Sequence, residues 1–576
     1  MSSFDVPWRR PGRVAYARAR LGAFLRPPVT VVPAPDDLRV DRDVAVPMRD
    51  GVILRVNLYR PPGDDRVPVI LSAHPYGKDN HPHRTRRGWS LNLQYRIMNQ
   101  PEPVEFSSET GWEAPDPVWW VSQGYAVVNA DLRGAGTSDG VGSLFSDAEA
   151  ADVVDLIEWA GAQPWSTGRV GMLGVSYLAI AQYKAAALHP RSLKAICPWE
   201  GFTDAYRDFM TPGGVVEDGF TRIWLAMSRR VARLRVDLGK ERTAHPLRDA
   251  WWDALTPDLA EIRVPMLVCT SFSDDNVHSS GSMRAFQRVG STDRFAYAHR
   301  APKWATFYGD AARCAQGQFF DRYLKELDVP PLPPLRLEVR ESAREIVEVR
   351  DEREWPLART VWTDLHLGAG GTLRRDPGDP GSLGFDLRRR AAAFTWSVDE
   401  DVELTGPMEL EVWMSLEDAD DADIFVGVEK RRGRRTVGFE GSYGYGRDRV
   451  ASGRLRVALR EIDAELSAPH QPEHTFRTVQ PVAAGEIVPL DIPLTGSSTV
   501  FRAGDELRLL VAGRYLEPRN PLFGHFPTHY ARSGRGRGVL HWSGEHPSRL
   551  VVPIVPVVPV GHVVDQASPP HRATAP

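Results

Sequence analysis

Arg169-Val170-Gly171-Met172-Leu173-Gly174-Val175-Ser176-Tyr177 is the stretch whose reading decides the fold. Its apolar run reads as a buried strand, and the pattern from Tyr177 to Leu188 reads as a helix that stops before His189-Pro190. A serine on the sharp turn between strand and helix holds its hydroxyl clear of the sheet. It then faces the backbone N–H groups of the helix start, which can stabilise an oxyanion. The usual pattern has glycine two places after the serine, where this chain has Leu178. By pattern alone, a catalytic serine and an ordinary strand-to-helix turn are equally supported.

Working outward, Val44 to Leu58 reads as a hairpin turning at Asp50-Gly51. VPVILSAH (67–74), Tyr125–Asn129, Leu193–Cys197 and Pro265–Cys269 read as short buried strands. Ser146 with Glu149 three residues later is a capping-box signature for a helix running through Ala160, and a further helix is expected at about Ala311–Leu327. Strands alternating with helices predict a mostly parallel sheet covered on both faces. The stretch from Lys78 to Pro117 reads as polar and irregular. Between Glu200 and about Pro257 the alternation gives way to helical periodicity, which predicts a helical insertion over the carboxyl end of the sheet.

Val329-Pro330-Pro331-Leu332-Pro333-Pro334 is a stiff extended connector. Beyond it, short alternating runs such as Leu404–Leu416 and Glu506–Val511 predict a β-sandwich of jelly-roll type. VVPIVPVVPV (551–560) suits an edge strand, where the missing proline N–H does no harm. The expected organisation is an arm at 1–40, a sheet domain at 41–199 and 261–328, a helical cap at 200–260, a β-sandwich at 335–565 and a tail at 566–576.

Composition narrows the function. Lys plus Arg number 71 against 75 Asp plus Glu in 576 residues, too little basic excess for a dedicated nucleic-acid protein. No apolar run reaches the ~18 residues of a membrane span. Cys197, Cys269 and Cys314 have no metal-site spacing and read as small core residues of a reducing compartment. The Arg-rich amino terminus lacks the apolar stretch of a secretory signal, and a cytoplasmic location is expected.

A nucleophilic serine needs a base, and the base needs an orienting carboxylate. In hydrolases of this sheet type the chain order is Ser, acid, His, each just past a strand. Asp274 follows the strand VPMLVC, and His299 ends the next strand-like run, Arg294–Ala298. His278 competes as base, but it trails Asp274 by four residues with no strand between, so His299 is preferred.

Taken together, these residues resemble the CocE/NonD group of serine hydrolases, which includes cocaine esterase-like and X-prolyl dipeptidyl peptidase-like enzymes. The resemblance rests on His74-Pro75-Tyr76-Gly77-Lys78, Asp131-Leu132-Arg133-Gly134, Glu158-Trp159 with Gln163-Pro164-Trp165, Gly174-Val175-Ser176-Tyr177, Ser273-Asp274 and Lys303-Trp304. It runs in order from about Val44 to Leu327 and more weakly through Thr405-Gly406-Pro407 and Asp421-Ala422-Asp423-Ile424-Phe425. It implies an α/β-hydrolase fold with a helical cap insertion and an all-β C-terminal jelly roll. It also implies Ser176 as nucleophile, Asp274 as acid, His299 as base, and the Tyr76 hydroxyl with the Tyr177 N–H as oxyanion donors. Two departures stand out: Ala179 replaces a glycine usual in the family, and His299 lacks the usual Gly-Pro-Trp context.

Trp199, Glu200 and Asp204 follow a strand and are candidates to face the substrate. The acidic cluster Asp418, Asp420, Asp421 and Asp423 reads as a plain loop rather than a calcium site, and Arg388-Arg389-Arg390 as a solvated turn. The expectation is a cofactor-free and metal-free serine hydrolase acting on a small-molecule ester. An X-prolyl peptidase or β-lactam acylase is the alternative, and a non-catalytic binding protein the alternative of another class. The family suggests a homodimer; neither nucleic acid nor membrane is an expected partner.

Overall fold

A mixed sheet carries the site, and its strands form where the sequence offers apolar runs between turn residues. They are β1 (Arg39–Pro47), β2 (Ile53–Arg60), β3 (Val67–His74), β4 (Ala126–Asp131), β5 (Ser166–Val175), β6 (Leu193–Trp199), β7 (Met266–Ser271), β8 (Arg294–His299), β9 (Leu335–Ser342) and β10 (Glu345–Glu352). The spatial order is β1-β2-β4-β3-β5-β6-β7-β8-β9-β10. From β4 to β9 neighbouring strands run parallel, and β1, β2 and β10 add antiparallel edges. Every residue of β4 and β7 is buried, the signature of strands covered on both faces. This computed structural model describes residues 13–86, 88–97, 103–439, 441, 448–517, 527–531 and 536–556. The expected tail at 566–576, the last part of VVPIVPVVPV and the first twelve residues lie outside them.

Helices pack on both faces, among them Asp147–Gly161, Tyr177–Ala186, Ser279–Arg288 and Asp310–Tyr323. The Ser146 side chain caps the first of these by accepting from the Glu149 N–H at 3.2 Å. Glu149 turns back to the Phe145 N–H, one residue short of a reciprocal capping box. The stretch expected to be a helical insertion holds a π-helical turn at Ala205–Met210 and helices Phe220–Val231, Leu238–Ala244 and Ala250–Asp253.

Several expectations need correction, and the arm gains a contact. The stretch from Lys78 to Pro117 is structured: it holds the strand Val104–Ser107 and the helix Leu93–Ile97, and it leads into the helix Pro117–Ser122, capped by Asp116. Val104–Ser107 pairs in parallel with Val29–Val32, so the arm is partly built into the fold. Cys314 is exposed, whereas Cys197 and Cys269 are buried as expected.

Past the proline connector, β9 first completes the sheet of the preceding domain by pairing with β8. The remaining strands form an almost wholly antiparallel β-structure around the long strands Val402–Glu417 and Val488–Phe501. Arg549–Val555 is not an edge strand, because it lies between Val361–Gly368 and Val402–Glu417. Its Pro553 is tolerated there because the second ladder shifts register between Leu404 and Glu409. Gly406 gives the ring room, since a Cβ on Gly406 would meet Pro553 Cβ at 2.7 Å. Asp421 is spent on Arg456 and the Ala458 N–H, as a structural loop residue would be.

Candidate active site

Ser176 sits between β5 and the helix Tyr177–Ala186 with φ 58° and ψ −115°, a left-handed conformation rare for a side chain of this type. The turn closes because Gly174 has no side chain: a Cβ there would lie 2.4 Å from Leu178 Cβ. Leu178 therefore breaks the sequence pattern without blocking the geometry. Ala179 is accommodated in the same way by Gly201, whose absent Cβ would be 2.7 Å from that of Ala179.

The imidazole at the serine is His278, with Nε2 3.1 Å from Ser176 Oγ. His278 stands at the start of the helix Ser279–Arg288, and its Nε2 is also 3.9 Å from Asp274 Oδ2. Its Nδ1 is buried without a hydrogen-bond partner among the described residues. Burial, helped by the Lys303 ammonium, pulls the His278 pKa down to about 4 against the opposing pull of Asp274. The ring is neutral at ordinary pH and able to accept a proton.

The expected base, His299, is elsewhere. Its Nδ1 accepts from the Ala301 N–H at 3.1 Å, and its Nε2 lies 3.3 Å from Glu200 Oε1. Glu200 in turn is 3.3 Å from Lys303 Nζ, which also donates to Asp274. Burial alone would lower the Lys303 pKa, but Asp274 and Glu200 outweigh it and hold the group cationic, so Lys303 is no base. Glu200, Cys269 and His299 could present three ligand atoms to a metal ion, yet the Lys303 ammonium already supplies the positive charge there.

The three residues expected to face the substrate do not. Trp199 packs in the core against Tyr297 and Phe307. Glu200 is committed to His299 and Lys303, and Asp204 to Arg207 and Arg248. In their place, Phe145, Phe202, Phe209 and Trp224 gather around Tyr177 and His278, with ring centroids 5.1 to 6.1 Å apart. These aromatics were not singled out in the sequence. Phe209 and Trp224 lie in helical turns of the stretch from Glu200 to Pro257, whereas Phe145 and Phe202 lie outside any helix and carry no periodic signal.

Tyr76 is held by the two motifs around it. The Tyr76 N–H donates to His74 Nδ1, His74 Nε2 is 2.8 Å from Asn129, and the Lys78 N–H donates to Asp131 at 2.6 Å. Trp224 Nε1 donates to the Tyr76 hydroxyl at 3.0 Å, which leaves the tyrosine proton for another acceptor, and the hydroxyl also interacts with Ser176. The Tyr177 hydroxyl donates to Glu149 at 2.7 Å, which fixes the start of the nucleophile helix.

Known proteins match this architecture over nearly its whole length. Residues 50–302 match the X-Pro dipeptidyl-peptidase (S15 family), and residues 328–551 match the X-Pro dipeptidyl-peptidase C-terminal non-catalytic domain. A crystal structure of a CocE/NonD family hydrolase from Staphylococcus aureus superposes with a TM-score of 0.85 at 34% identity, covering 90% of this chain and 94% of that one. The chain belongs to the CocE/NonD hydrolase family. The cocaine esterase of Rhodococcus sp. (strain MB1 Bresler) is 26% identical over 90% of this chain and 98% of its own length. An aminopeptidase from a marine sediment Thaumarchaeota archaeon shares the fold at 17% identity, with a TM-score of 0.69 over 96% of this chain and 99% of that one. The protein is thus a serine hydrolase of this family. No helix of the described residues is long and apolar enough to cross a membrane.

Proposed function

We propose that this CocE/NonD hydrolase cleaves a carboxylic ester through an acyl-enzyme on Ser176, with His278 rather than His299 as its base. The observation that carries the reading is the 3.1 Å contact from His278 Nε2 to Ser176 Oγ. His278 takes the serine proton as the oxygen attacks the carbonyl. Asp274, 3.9 Å from the nitrogen that gains the proton, stabilises the imidazolium. The Tyr76 hydroxyl and the Tyr177 N–H stabilise the oxyanion. His278 returns its proton to the leaving alkoxide and then activates water to free the acyl group.

The strand order, with the serine on the turn after β5, supports an α/β-hydrolase fold, and the antiparallel C-terminal strands support a jelly roll. The aromatic walls favour an apolar group on the substrate. Among the described residues no uncommitted carboxylate stands in the positions of Glu200 or Asp204 to clamp a free amine, which favours an ester over an aminoacyl-proline amide.

An active-site phosphonate tests the nucleophile. Wild type is expected to be labelled stoichiometrically and Ser176→Ala not at all. Turnover of p-nitrophenyl esters is expected to exceed that of aminoacyl-proline anilides. A folded wild type that resists the probe would instead support a non-catalytic binding protein.

A further inference from the structure

We propose that a cleft between the sheet domain and the C-terminal β-structure is a second binding site, for an aryl carboxylate with a further hydrogen-bonding group at its far end. Neither Ser176 nor His278 is among the described residues that line the cleft, so the inference does not depend on which histidine is the base.

The cleft follows from the pattern of one helix. In Ser279–Arg288 the residues Gly281, Ser282, Ala285 and Phe286 are buried in the sheet domain. Ser279, Ser280, Met283, Arg284, Gln287 and Arg288 recur at the spacing of one helical face, and all six line the cleft. Trp355, Leu466 and Leu494 line it from the opposite side. The enclosed volume is about 540 Å³, within the range that holds a small organic molecule. The walls are apolar where it is deepest: Phe272, Met283, Trp355 and Leu494 are all buried, and the Phe272 and Trp355 rings stand 5.6 Å apart. Flat aromatic groups pack well on such rings.

Two polar groups stand at opposite ends of these walls. Ser279 Oγ donates to the Ser271 carbonyl, so the helix starts beside the end of β7 that carries Thr270, and Arg288 is its last residue. The nearest carboxylate to Arg288 is Glu473, at 3.7 Å, and Arg207 and Arg284 hold that group more closely, at 3.1 and 3.2 Å. Among the described residues only Nη2 of Arg288 is engaged, by Glu473 and the Leu466 carbonyl. The rest of its guanidinium fork is left for a ligand carboxylate. Glu465 is the other carboxylate of the lining, and it is exposed. Thr270 is 1% exposed, and its Oγ1 has no hydrogen-bond partner among the described residues. A buried hydroxyl left unpaired is costly, and a polar group on the far end of the ligand would satisfy it.

Calorimetric titration of the full chain, with Ser176 first blocked by a phosphonate, tests the site with 4′-hydroxybiphenyl-4-carboxylate. One saturable site is expected. The neutral carboxamide of the same probe should bind at least about tenfold more weakly, and Arg288→Gln should remove that difference. Biphenyl-4-carboxylate, which lacks the phenol, should bind about three- to tenfold more weakly than the probe, and Thr270→Val should erase that advantage. Met283→Trp should fill the cleft and abolish binding. Arg288→Gln and Thr270→Val keep the proposal open to refutation if the tryptophan variant does not fold. Absence of saturable binding would overturn the proposal, as would equal affinity for acid and amide, or affinities that both Arg288→Gln and Thr270→Val leave unchanged. If Ser176 resists the phosphonate, the nucleophile reading fails by itself, and the same variants on the unlabelled chain still decide the cleft.

Discussion

Asp274–His278 and His299–Lys303 stand at the carboxyl ends of adjacent parallel strands, β7 and β8, and each stretch buries a histidine and at least one charged side chain. Only one of the histidines meets the serine. His299 turns its Nε2 side to Glu200, and the lone pair on its Nδ1 is taken by the Ala301 N–H, so the ring serves the local structure. His278 presents Nε2 to Ser176 Oγ from the residue just before the helix Ser279–Arg288. The difference teaches that a base is recognised by a free lone pair aimed at the nucleophile, and that strand-end position is only a proxy for it. Lys303 separates the two stretches electrically: it holds Asp274 on one side and Glu200 on the other.

The sharpest way to break this comparison is to remove each imidazole. His278→Ala should lower kcat by about 10⁴-fold or more, in line with removal of a base from a serine hydrolase. His299→Ala should change kcat by less than about tenfold and should lower the melting temperature, since Glu200 loses a buried partner at a cost of ~1–3 kcal/mol. The reverse ranking would return the base to His299. The pH profile separates them further. With its pKa depressed to about 4, His278 is neutral from pH 5 upward, and kcat/KM should stay flat from pH 5 to 7. A base of ordinary pKa would lose close to tenfold per unit below about 6.5.

Tyr76 sharpens the same contrast from the electrophilic side. Tyr76→Phe removes one preorganised donor and should cut turnover of an activated ester by about 10²-fold, with phosphonate labelling of Ser176 slowed in parallel. Because Trp224 donates to the same hydroxyl, Trp224→Phe should have a smaller effect in the same direction. Unchanged turnover in Tyr76→Phe would remove the tyrosine from the mechanism.

Much of this was legible in the sequence. The apolar runs of β3 to β8, the serine turn and the capped helix at Ser146 follow from local pattern, because burial and turn chemistry act over a few residues. The base was not legible. A rule of order along the chain cannot see that the five residues from Asp274 to His278 fold back over the serine, while a strand end 21 residues further on is closed off by Glu200 from another strand. The aromatic walls escaped for the same reason: they depend on long-range packing of several separate segments. The prolines of VVPIVPVVPV misled in the opposite sense, since the ladder break at Gly406 is a property of the partner strand.

The loop that decides the comparison is itself gripped by the C-terminal β-structure. Ser452 donates to Asp275, and the Tyr515 hydroxyl donates to Asn276 Oδ1 at 3.0 Å, so two of the three residues between Asp274 and His278 are held from the other domain. The matching domain is described in its family as non-catalytic, which fits a part that touches no reacting atom. It need not be inert. Burial pushes the Asp275 carboxyl up in pKa, and the Ser452 hydroxyl is the leading influence opposing that. Ser452→Ala would leave the carboxyl with less support and let the loop drift. A displacement of a few tenths of an ångström at His278 is enough to lengthen its contact with Ser176. The expected effect is a two- to tenfold loss in kcat with KM nearly unchanged, roughly 0.4–1.4 kcal/mol of barrier, recovered in part by Ser452→Thr. Steady-state kinetics on one ester checks it. A kcat equal to wild type would mean that the helix behind His278 sets the geometry by itself and that the grip of the β-structure contributes only to stability.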